Sequence, residues 1–294
     1  MAGWDWLYGL RKRNSDISLR QPEATSVARA SAFNRVKVKK FFDILENIIR
    51  NNEIPPERIY NIDESGLSTV QRPSKIFATK GRKQVGTITS AERGAHTTVV
   101  CCMNTIGSFV SPAIIFARKN SKPDLTDDVP IRTLQLYQEC GWMTGILFEK
   151  WLSHFVKYSN ASVDRKVLLI LDGHSSHKYL PALEYAKRHG VVLLCTLPHC
   201  THRIQPLDVS FFGPLSNYYN QAITKCMKAN PARTVTAFQV GQLFSEAYEK
   251  AAVMGNAVSG FKTTGIYPPN PDIFREWMFS PSDITNLVLE EPSD

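Results

Sequence analysis

The chain has 294 residues, of which 43% are hydrophobic and 21% are charged. That length can bury a sizeable core in one or two domains, and the composition is ordinary for a globular protein. The formal net charge of +8 favours a polyanionic partner such as nucleic acid over an acidic metabolite. A solvated basic surface accounts for the same charge equally well.

The cysteines and the first residues bear on the cellular compartment. The six cysteines show no C-x-x-C pair, and Cys101, Cys102 and Cys195 lie in apolar runs, where free cysteines are usually buried. We therefore expect free thiols in a reducing compartment. The start "MAGWDWLYGLRKRN" lacks a signal-peptide core, and no run approaches the ~18 apolar residues of a spanning helix. These features predict a cytosolic or nuclear protein without a membrane partner.

The first 50 residues are basic and contain two predicted helices. The short first segment, with Trp6, Leu7 and Leu10 ahead of Arg11 to Arg13, is predicted to form one helix, which cannot bury its own apolar face. We expect it to be the remnant of a larger unit or an appendage on the next domain. In "VKKFFDILENIIRNN" the apolar residues recur at helical spacing. The buried face of this second helix is predicted to hold Phe41, Ile44 and Ile48 or Ile49.

Beyond residue 58 the pattern indicates strands. "RIYNID" predicts a strand that ends before a glycine-containing turn, and "TTVVCCMN" and "SPAIIFA" predict an antiparallel hairpin around Gly107. Residues 147–158 fit an amphipathic helix. The strand "VLLILD", the helix "YLPALEYAKRHG" with its capping glycine, and the strand "VVLLCTLP" follow. Runs that are apolar on both faces and separated by a helix predict parallel pairing in a covered sheet.

The remaining predicted elements are helical. "PLDVSFFGPLSNYYNQAITKCM" opens near a proline and repeats apolar residues every three or four positions, which predicts one helix. Residues 236–255 predict a further helix, "GFKTTGIYPPNP" a loop, and residues 283–294 a loosely ordered acidic tail. The fold class is therefore predicted as α/β, a mixed sheet flanked by helices, with an N-terminal helical remnant and a C-terminal helical extension.

Three aspartates stand where predicted elements begin or end. Asp63 ends the first strand, Asp172 ends "VLLIL", and Asp208 lies in the first turn of the helix after "VVLLCTLP". Strand ends gather at one edge of an open α/β sheet, the usual crevice for ligands. Three carboxylates there need a counter-charge, and Mg²⁺ prefers hard oxygen ligands. Two such ions about 3.5–4 Å apart can support phosphodiester cleavage or transfer. The pattern alone leaves each aspartate equally open to being a helix cap or loop acid.

Several longer stretches resemble one family. "NIDESGLSTVQRPSK", "LDGHSSH", "LPHCTHRIQPLDVSFFGPL" and "GFKTTGIYPPNP" resemble motifs of the pogo-type transposases, which include the Tigger and jerky-like proteins and centromere protein B. The resemblance is collinear from about residue 3 to residue 271 and implies an RNase H-like fold. It also implies that the D-E-S/T-G-L, L-D-G-H and Q-P-L-D motifs supply catalytic, metal-binding aspartates, which here are Asp63, Asp172 and Asp208.

The same resemblance implies a function and a domain plan. It implies DNA cleavage and strand transfer with Mg²⁺ or Mn²⁺, DNA as the partner, a nuclear location and a homodimer as one possible assembly. Residues 1–40 are expected to be the remnant of a helix-turn-helix DNA-binding region and its linker. Residues 41–271 are expected to form the DDE-type catalytic domain, and residues 272–294 an acidic tail.

Two departures from the family pattern bear on function. The start of the chain resembles only the last helix of a helix-turn-helix unit, so sequence-specific DNA binding is not expected of the chain as given. Cys200 and Arg203 stand where a hydroxyl and an apolar residue are expected, beside the third aspartate. The alternative to an endonuclease is therefore a domesticated, non-catalytic nuclear protein that binds DNA or other proteins.

Other patterns favour weaker hypotheses. Two H-x-x-H pairs near strand ends could in principle bind zinc, but histidines three apart on a loop are not diagnostic; the residues concerned are His174, His177, His199 and His202, with Cys200 between the second pair. "GHSSH" lacks the spacing of a nucleophile elbow, and "ATKGRK" lacks that of a P-loop. A basic segment could contact phosphates or form a solvated loop; it contains Lys75, Lys80, Arg82 and Lys83.

Overall fold

A computed structural model describes residues 3–19, 32–70, 79, 96–122, 125, 128–230, 234–280 and 282. In these ranges the chain forms a six-stranded sheet with the strand order β4-β3-β2-β1-β5-β6. The strands are β1 Ile59–Ser68, β2 His96–Asn104, β3 Phe109–Ala117, β4 Leu134–Gln138, β5 Val167–Leu171 and β6 Val191–Cys195. The β1–β2 and β2–β3 pairs are antiparallel, whereas β3–β4, β1–β5 and β5–β6 are parallel. This mixed sheet confirms the predicted α/β class.

Helices cover both faces of the sheet. They are α1 Trp4–Arg13, α2 Arg35–Asn51, α3 Gly145–Ser159, α4 Leu180–Arg188, α5 Thr201–Ile204, α6 Pro206–Ser210, α7 Phe212–Ala229, α8 Ala237–Ala251 and α9 Met254–Thr263. Short 3-10 turns follow β5 and α9, at Ser175–Lys178, Pro271–Ile273 and Glu276–Met278. Within the described ranges no helix combines the length and the apolar character that a bilayer-spanning helix needs.

Side-chain alternation along the strands divides the core into two layers. One layer contains Ile59, Val99 and Leu168 and is covered by α2 and α6–α9. The other contains Ile62, Val100 and Leu169 and is covered by α3 and α4. Successive residues of a strand point to opposite faces, so neighbouring residues of β1 enter different layers. This alternation decides which side of the sheet each polar residue near its edge can reach.

The hairpin and the parallel strands are confirmed, but two features of the sheet differ from the prediction. β1 does not end at Asp63; it runs on to Ser68 because β2 pairs with it along its whole length. Only Ile59–Asn61 pair with β5, so Asp63 lies just beyond the parallel-paired part of β1. The sheet also contains the edge strand β4, which the sequence analysis missed; its short "LQLYQ" pattern is only partly apolar.

The N-terminal helices are present, with one correction to their packing. α1 has no buried residue. In α2 the buried face holds Val38, Phe41, Phe42 and Leu45, and the expected Ile44 is exposed. Spacings of three and four residues from Phe41 lead to either Ile44 or Leu45, and the register of docking on the sheet selects Leu45.

The helical region after β6 is more broken than predicted. The expected single helix is divided at Phe211 into α6 and α7, so the segment with Asp208 is a separate short helix. α9 includes the residues "GFKT", which were expected in a loop. The six cysteines are free, but Cys195 is exposed and not buried as expected, because it ends an edge strand.

Some expectations lie outside the described residues. These are the tail at 283–294 and the basic residues Lys75, Lys80, Arg82 and Lys83. The division at residues 40 and 271 stays a prediction. Phe274 and Phe279 belong to the same apolar layer as α2, and their rings pack around Phe33.

Candidate metal centre

The three predicted aspartates come from three separate elements that meet at one edge of the sheet. Asp63 lies in β1, Asp172 directly follows β5, and Asp208 lies in α6. Asp63 is buried, Asp172 is partly exposed and Asp208 is exposed. Because β1 and β5 are parallel neighbours, the ends of their paired segments bring Asp63 and Asp172 to the same level.

Asn61 connects the three elements. Its side chain is fully buried, and its amide nitrogen donates to the carbonyl oxygen of Ile170 in β5 at 3.1 Å. Its amide oxygen accepts the backbone N–H of Leu207 in α6 at 2.9 Å. Each bonded residue lies one or two positions before an aspartate, as Asn61 itself does. One buried amide therefore sets the relative positions of the segments that carry all three carboxyl groups.

Asp172 is held through one of its two oxygens. Its Oδ1 accepts the backbone N–H of His174 at 3.0 Å and lies 2.9 Å from Nδ1 of His177. Burial acts to raise the pKa of Asp172, but the hydrogen bonds from His177 and His174 outweigh burial and lower the pKa below its usual value. Asp172 is therefore an ionised carboxylate at neutral pH.

His177 also reaches a fourth acid. Its Nε2 lies 3.3 Å from Oε1 of Glu64, and its ring packs 4.5 Å from the ring of Phe148 in α3. Burial favours the neutral imidazole, but the hydrogen bonds to Asp172 and Glu64 and the charges of both acids raise the pKa of His177 to about 10. A buried imidazolium thus lies between two carboxylates.

Asp208 is presented by the short helix α6. Gly260 in α9 lets that helix pack closely, since a Cβ at this position would lie 2.3 Å from Ser210 Oγ and 2.8 Å from the carbonyl oxygen of Pro206. On the preceding turn, Arg203 stacks 4.6 Å from the centre of the Phe33 ring and donates to the carbonyl oxygen of Met278 at 2.7 Å. Arg203, which departs from the family pattern, therefore anchors the segment before Asp208 to Met278 near the C-terminal end of the described residues.

The pKa values of Asp63 and Asp208 are shifted in the opposite direction to that of Asp172. Burial, followed by the charges of Asp208 and Glu64, raises the pKa of Asp63 well above its usual value. Loss of hydration is also the largest cause of the raised pKa of Asp208; the charge of Asp172 adds to it, whereas hydrogen bonds from Thr201 and Asp63 oppose it. The carboxyl groups of Asp63 and Asp208 therefore lie close enough to affect each other's pKa, and the charge of Asp172 also acts on Asp208.

The donors at this edge suit a hard divalent cation, although they are not drawn together around one point. Among the described residues no three His, Cys, Asp or Glu side chains form a group that already surrounds a metal position. The Asp63 and Asp208 carboxyl groups nevertheless repel each other when ionised, which a cation would relieve. The fully buried Gln205 side chain approaches Asp63, yet its amide atoms make no hydrogen bond of normal geometry with any described residue.

Two of the four histidines expected as a zinc alternative have other contacts. Both ring nitrogens of His177 face carboxylates, and Nδ1 of His174 lies 2.8 Å from Ser176 Oγ. Sequence reasoning missed Glu64 and Asn61. Glu64 is part of the quoted D-E-S-G-L motif, and Asn61 is a polar residue inside an apolar strand, which is the signal that could have identified it.

The fold defines a class of protein. A mixed sheet of this strand order, covered by helices on both faces, is typical of RNase H-like domains. A family profile described as DDE superfamily endonuclease matches residues 94–258, more than half of the chain. The chain belongs to the DDE superfamily endonucleases.

Two curated proteins are similar to the chain in sequence. Tigger transposable element-derived protein 4 of Mus musculus is 29% identical over 142 residues, which are 46% of this chain and 26% of that protein. A protein of Cochliobolus lunatus named MFS-type transporter clz9 is 27% identical over 272 residues, which are 90% of this chain and 28% of that protein. The chain thus spans about a quarter of the length of the curated relatives it matches. The Tigger relative and the family profile confirm the resemblance to pogo- and Tigger-type transposases.

A solved structure of a transposase complex supports the fold. A crystal structure of the Mos1 mariner paired-end complex with Mn superposes with a TM-score of 0.52 and 12% identity, covering 87% of this chain and 67% of that chain. The Mos1 paired-end complex with Mg gives a TM-score of 0.48 and 10% identity over 89% of this chain and 70% of that chain. The fold is RNase H-like, as expected.

Proposed function

We propose that the chain is a transposase-derived nucleic-acid-binding protein whose sheet edge is a metal-dependent centre for DNA strand cleavage and transfer. The observation that carries this proposal is the convergence of Asp63, Asp172 and Asp208 from three elements. The charge of Asp208 raises the pKa of Asp63, and the charge of Asp172 raises the pKa of Asp208. Membership of the DDE superfamily endonucleases supplies the class of reaction.

The three aspartates have different tasks in this proposal. Asp172 is ionised and held by His177 and the backbone N–H of His174. The pKa values of Asp63 and Asp208 are raised, so protonation of these two carboxyl groups would compete with binding of a cation. Mg²⁺ or Mn²⁺ held by the three carboxylates would neutralise phosphate charge and lower the pKa of an attacking water or hydroxyl. The Mos1 complex crystallised with Mn supports a divalent ion as the cofactor.

The partner, location and assembly follow from the class. The net charge of +8 suits DNA, since lysines and arginines supply salt-dependent affinity for phosphates without reading sequence. A nuclear location is proposed because the substrate is DNA. A homodimer stays a prediction.

A second candidate is a domesticated protein that keeps the fold without catalysis. Asp172 is already paired with His177, and within the described residues the acids do not surround a metal position. In that case the chain would bind DNA or protein partners through its basic surface. The two candidates differ in one measurable property, metal-dependent cleavage.

The test is nicking of supercoiled plasmid DNA by the full 294-residue chain with Mg²⁺ or Mn²⁺. Asp172→Asn and Asp208→Asn are expected to lower nicking by at least a hundredfold while the fold is retained, as judged by circular dichroism. Asp164→Asn is the matched control, because Asp164 is an exposed acid in the turn before β5. Equal nicking by wild type and both variants would refute the catalytic proposal. Retained DNA binding without nicking would establish the domesticated candidate.

A further inference from the structure

The buried His177 is connected to the candidate centre but is not one of its three aspartates. Its side chain is 2% exposed and lies between two acids from different strands. Phe148 packs against its ring, and Gly145 allows Tyr179 to approach the same helix, since a Cβ there would lie 2.5 Å from the Tyr179 side chain. The ring is thus confined between α3 and the turn after β5.

Both ring nitrogens face acceptor oxygens. Nδ1 lies 2.9 Å from Asp172 Oδ1 and 3.2 Å from the Asp172 backbone carbonyl oxygen, and Nε2 lies 3.3 Å from Glu64 Oε1. A neutral imidazole has one donor and one acceptor nitrogen, whereas a carboxylate only accepts. The arrangement therefore fits an imidazole that donates from both nitrogens. A histidine buried merely for packing would need no such pair of acceptors.

Glu64 lies on the opposite side of the sheet from Asp63. The two residues are adjacent in β1, and strand alternation sends adjacent side chains to different faces. Asn61 lies two residues before Asp63 and so points to the same face of the sheet, where its side chain bonds to α6. Glu64 bonds to His177, whose ring packs on α3 across the other face. Glu64 is thus the anchor for His177 and not a fourth member of the aspartate group.

The oxygen atoms of Asp172 are used unequally. Oδ1 accepts the His174 backbone N–H and lies 2.9 Å from His177 Nδ1, while Oδ2 makes no hydrogen bond to any described residue. A carboxylate fixed through one oxygen offers the other to a cation in a defined orientation. Outer hydrogen bonds to metal ligands typically change metal affinity by 10–100-fold.

We infer that His177 is a positioning residue which, anchored by Glu64, orients Asp172 so that its Oδ2 is the oxygen presented to a divalent cation. This inference rests on the proposed function, because the cation is the one proposed for DNA cleavage. It goes beyond that function in assigning the Glu64–His177 pair to the support of one ligand. Neither residue contacts the cation in this arrangement.

The test measures Mn²⁺ binding by isothermal titration calorimetry, with thermal unfolding in EDTA as a separate readout of stability. His177→Phe keeps an aromatic ring against Phe148 but removes both donors, and it is expected to weaken Mn²⁺ binding at least tenfold. His154→Phe is the matched control, since His154 lies on α3 and bonds only a backbone carbonyl of β3. That variant is expected to bind Mn²⁺ like wild type.

The double variant His177→Phe/Glu64→Gln separates positioning from packing. It removes the unpaired Glu64 charge, so its melting temperature is expected to recover relative to His177→Phe while its Mn²⁺ affinity stays low. If both the melting temperature and the Mn²⁺ affinity recover in the double variant, the role of His177 is purely structural and the inference is overturned. If His177→Phe does not fold, His177→Asn takes its place, because it keeps one donor group. We expect this variant to bind Mn²⁺ with intermediate affinity. Wild-type affinity in this variant would refute the positioning role.

A metal-free measurement separates this inference from the proposed function. In ¹⁵N-labelled protein in EDTA, the Nδ1–H group of His177 is expected to give a slowly exchanging signal. An Nδ1 without a proton, or one whose proton exchanges as fast as that of an exposed histidine, would overturn the positioning arrangement even if the chain cleaves DNA. Wild type that shows this signal but binds no Mn²⁺ would refute the proposed metal centre, and with it the presentation of Oδ2.

Discussion

The clearest quantitative consequence of the acid cluster concerns the stability of the metal-free chain. Asp63 is buried beside Asp208, and its pKa is raised well above the ordinary value of 3.8. A raised folded-state pKa means that the folded chain holds the proton more tightly than the unfolded chain. Folding stability therefore falls as pH rises from about 4 through the folded-state pKa, and the full penalty applies above it. Asp63→Asn removes this penalty.

The size of the effect follows from charge separation. Two unit charges about 4 Å apart at an effective dielectric constant of ~20 repel by about 4 kcal/mol, and solvent around the exposed Asp208 reduces that figure. One pKa unit corresponds to about 1.4 kcal/mol. We expect Asp63→Asn to stabilise the metal-free chain by roughly 1–3 kcal/mol at pH 8. That stabilisation corresponds to a rise in melting temperature of about 2–4 °C per kcal/mol.

Differential scanning calorimetry in EDTA checks this prediction at pH 4.5 and pH 8. The difference between variant and wild type should be small at pH 4.5 and largest at pH 8. Excess Mn²⁺ should stabilise wild type but not the variant. The difference in melting temperature between the variant and wild type should therefore narrow or change sign. Asp164→Asn, which changes an exposed acid, should shift stability by no more than about 0.5 kcal/mol. A variant less stable than wild type in EDTA at pH 8 would show that Asp63 is not under electrostatic strain.

Three further predictions concern the supports of the centre. Asn61→Leu leaves the Leu207 N–H and the Ile170 carbonyl without their partner and should cost about 2–4 kcal/mol, measured by urea unfolding; an unchanged midpoint would contradict the connecting role. Gly260→Ala should displace α6 and cost about 1–3 kcal/mol, whereas Gly255→Ala, where a Cβ meets no atom within 4 Å, should be neutral or stabilising. Arg203→Ala should increase amide exchange at residues 274–279, to whose backbone it donates; unchanged exchange would refute the anchoring role.

Local sequence patterns were sufficient to predict much of the sheet and several of the helices. β5 is continuously apolar because both of its faces are buried, and Gly190, with a positive φ of 68°, follows the helix between β5 and β6. The hairpin turn at Gly107 and the amphipathic α3 follow from equally local signals. Asp172 and Asp208 could be placed near the sheet edge because strand ends and helix starts are marked within a few residues. These features depend on side-chain periodicity, which the sequence displays directly.

Features that depend on how one element packs against another could not be predicted from the sequence. Ile44 and Leu45 are equally good candidates for the face of α2, and only packing against the sheet buries Leu45. β1 continues past Asp63 because β2 pairs along it, and β4 is a strand because β3 offers it an edge. Local periodicity carries no information about which partner a segment meets, so such choices are made only in the assembled fold.

The same division applies to the candidate site. The amino-acid sequence by itself determined the three aspartates, their order and their place at element ends. The tertiary structure alone decided that Asn61 joins their segments and that His177 bridges Asp172 to Glu64, 113 residues away. It also decided that Asp63 and Asp172 titrate in opposite directions. The physical reason is that burial and charge contacts act through space, and residues far apart in the chain supply them.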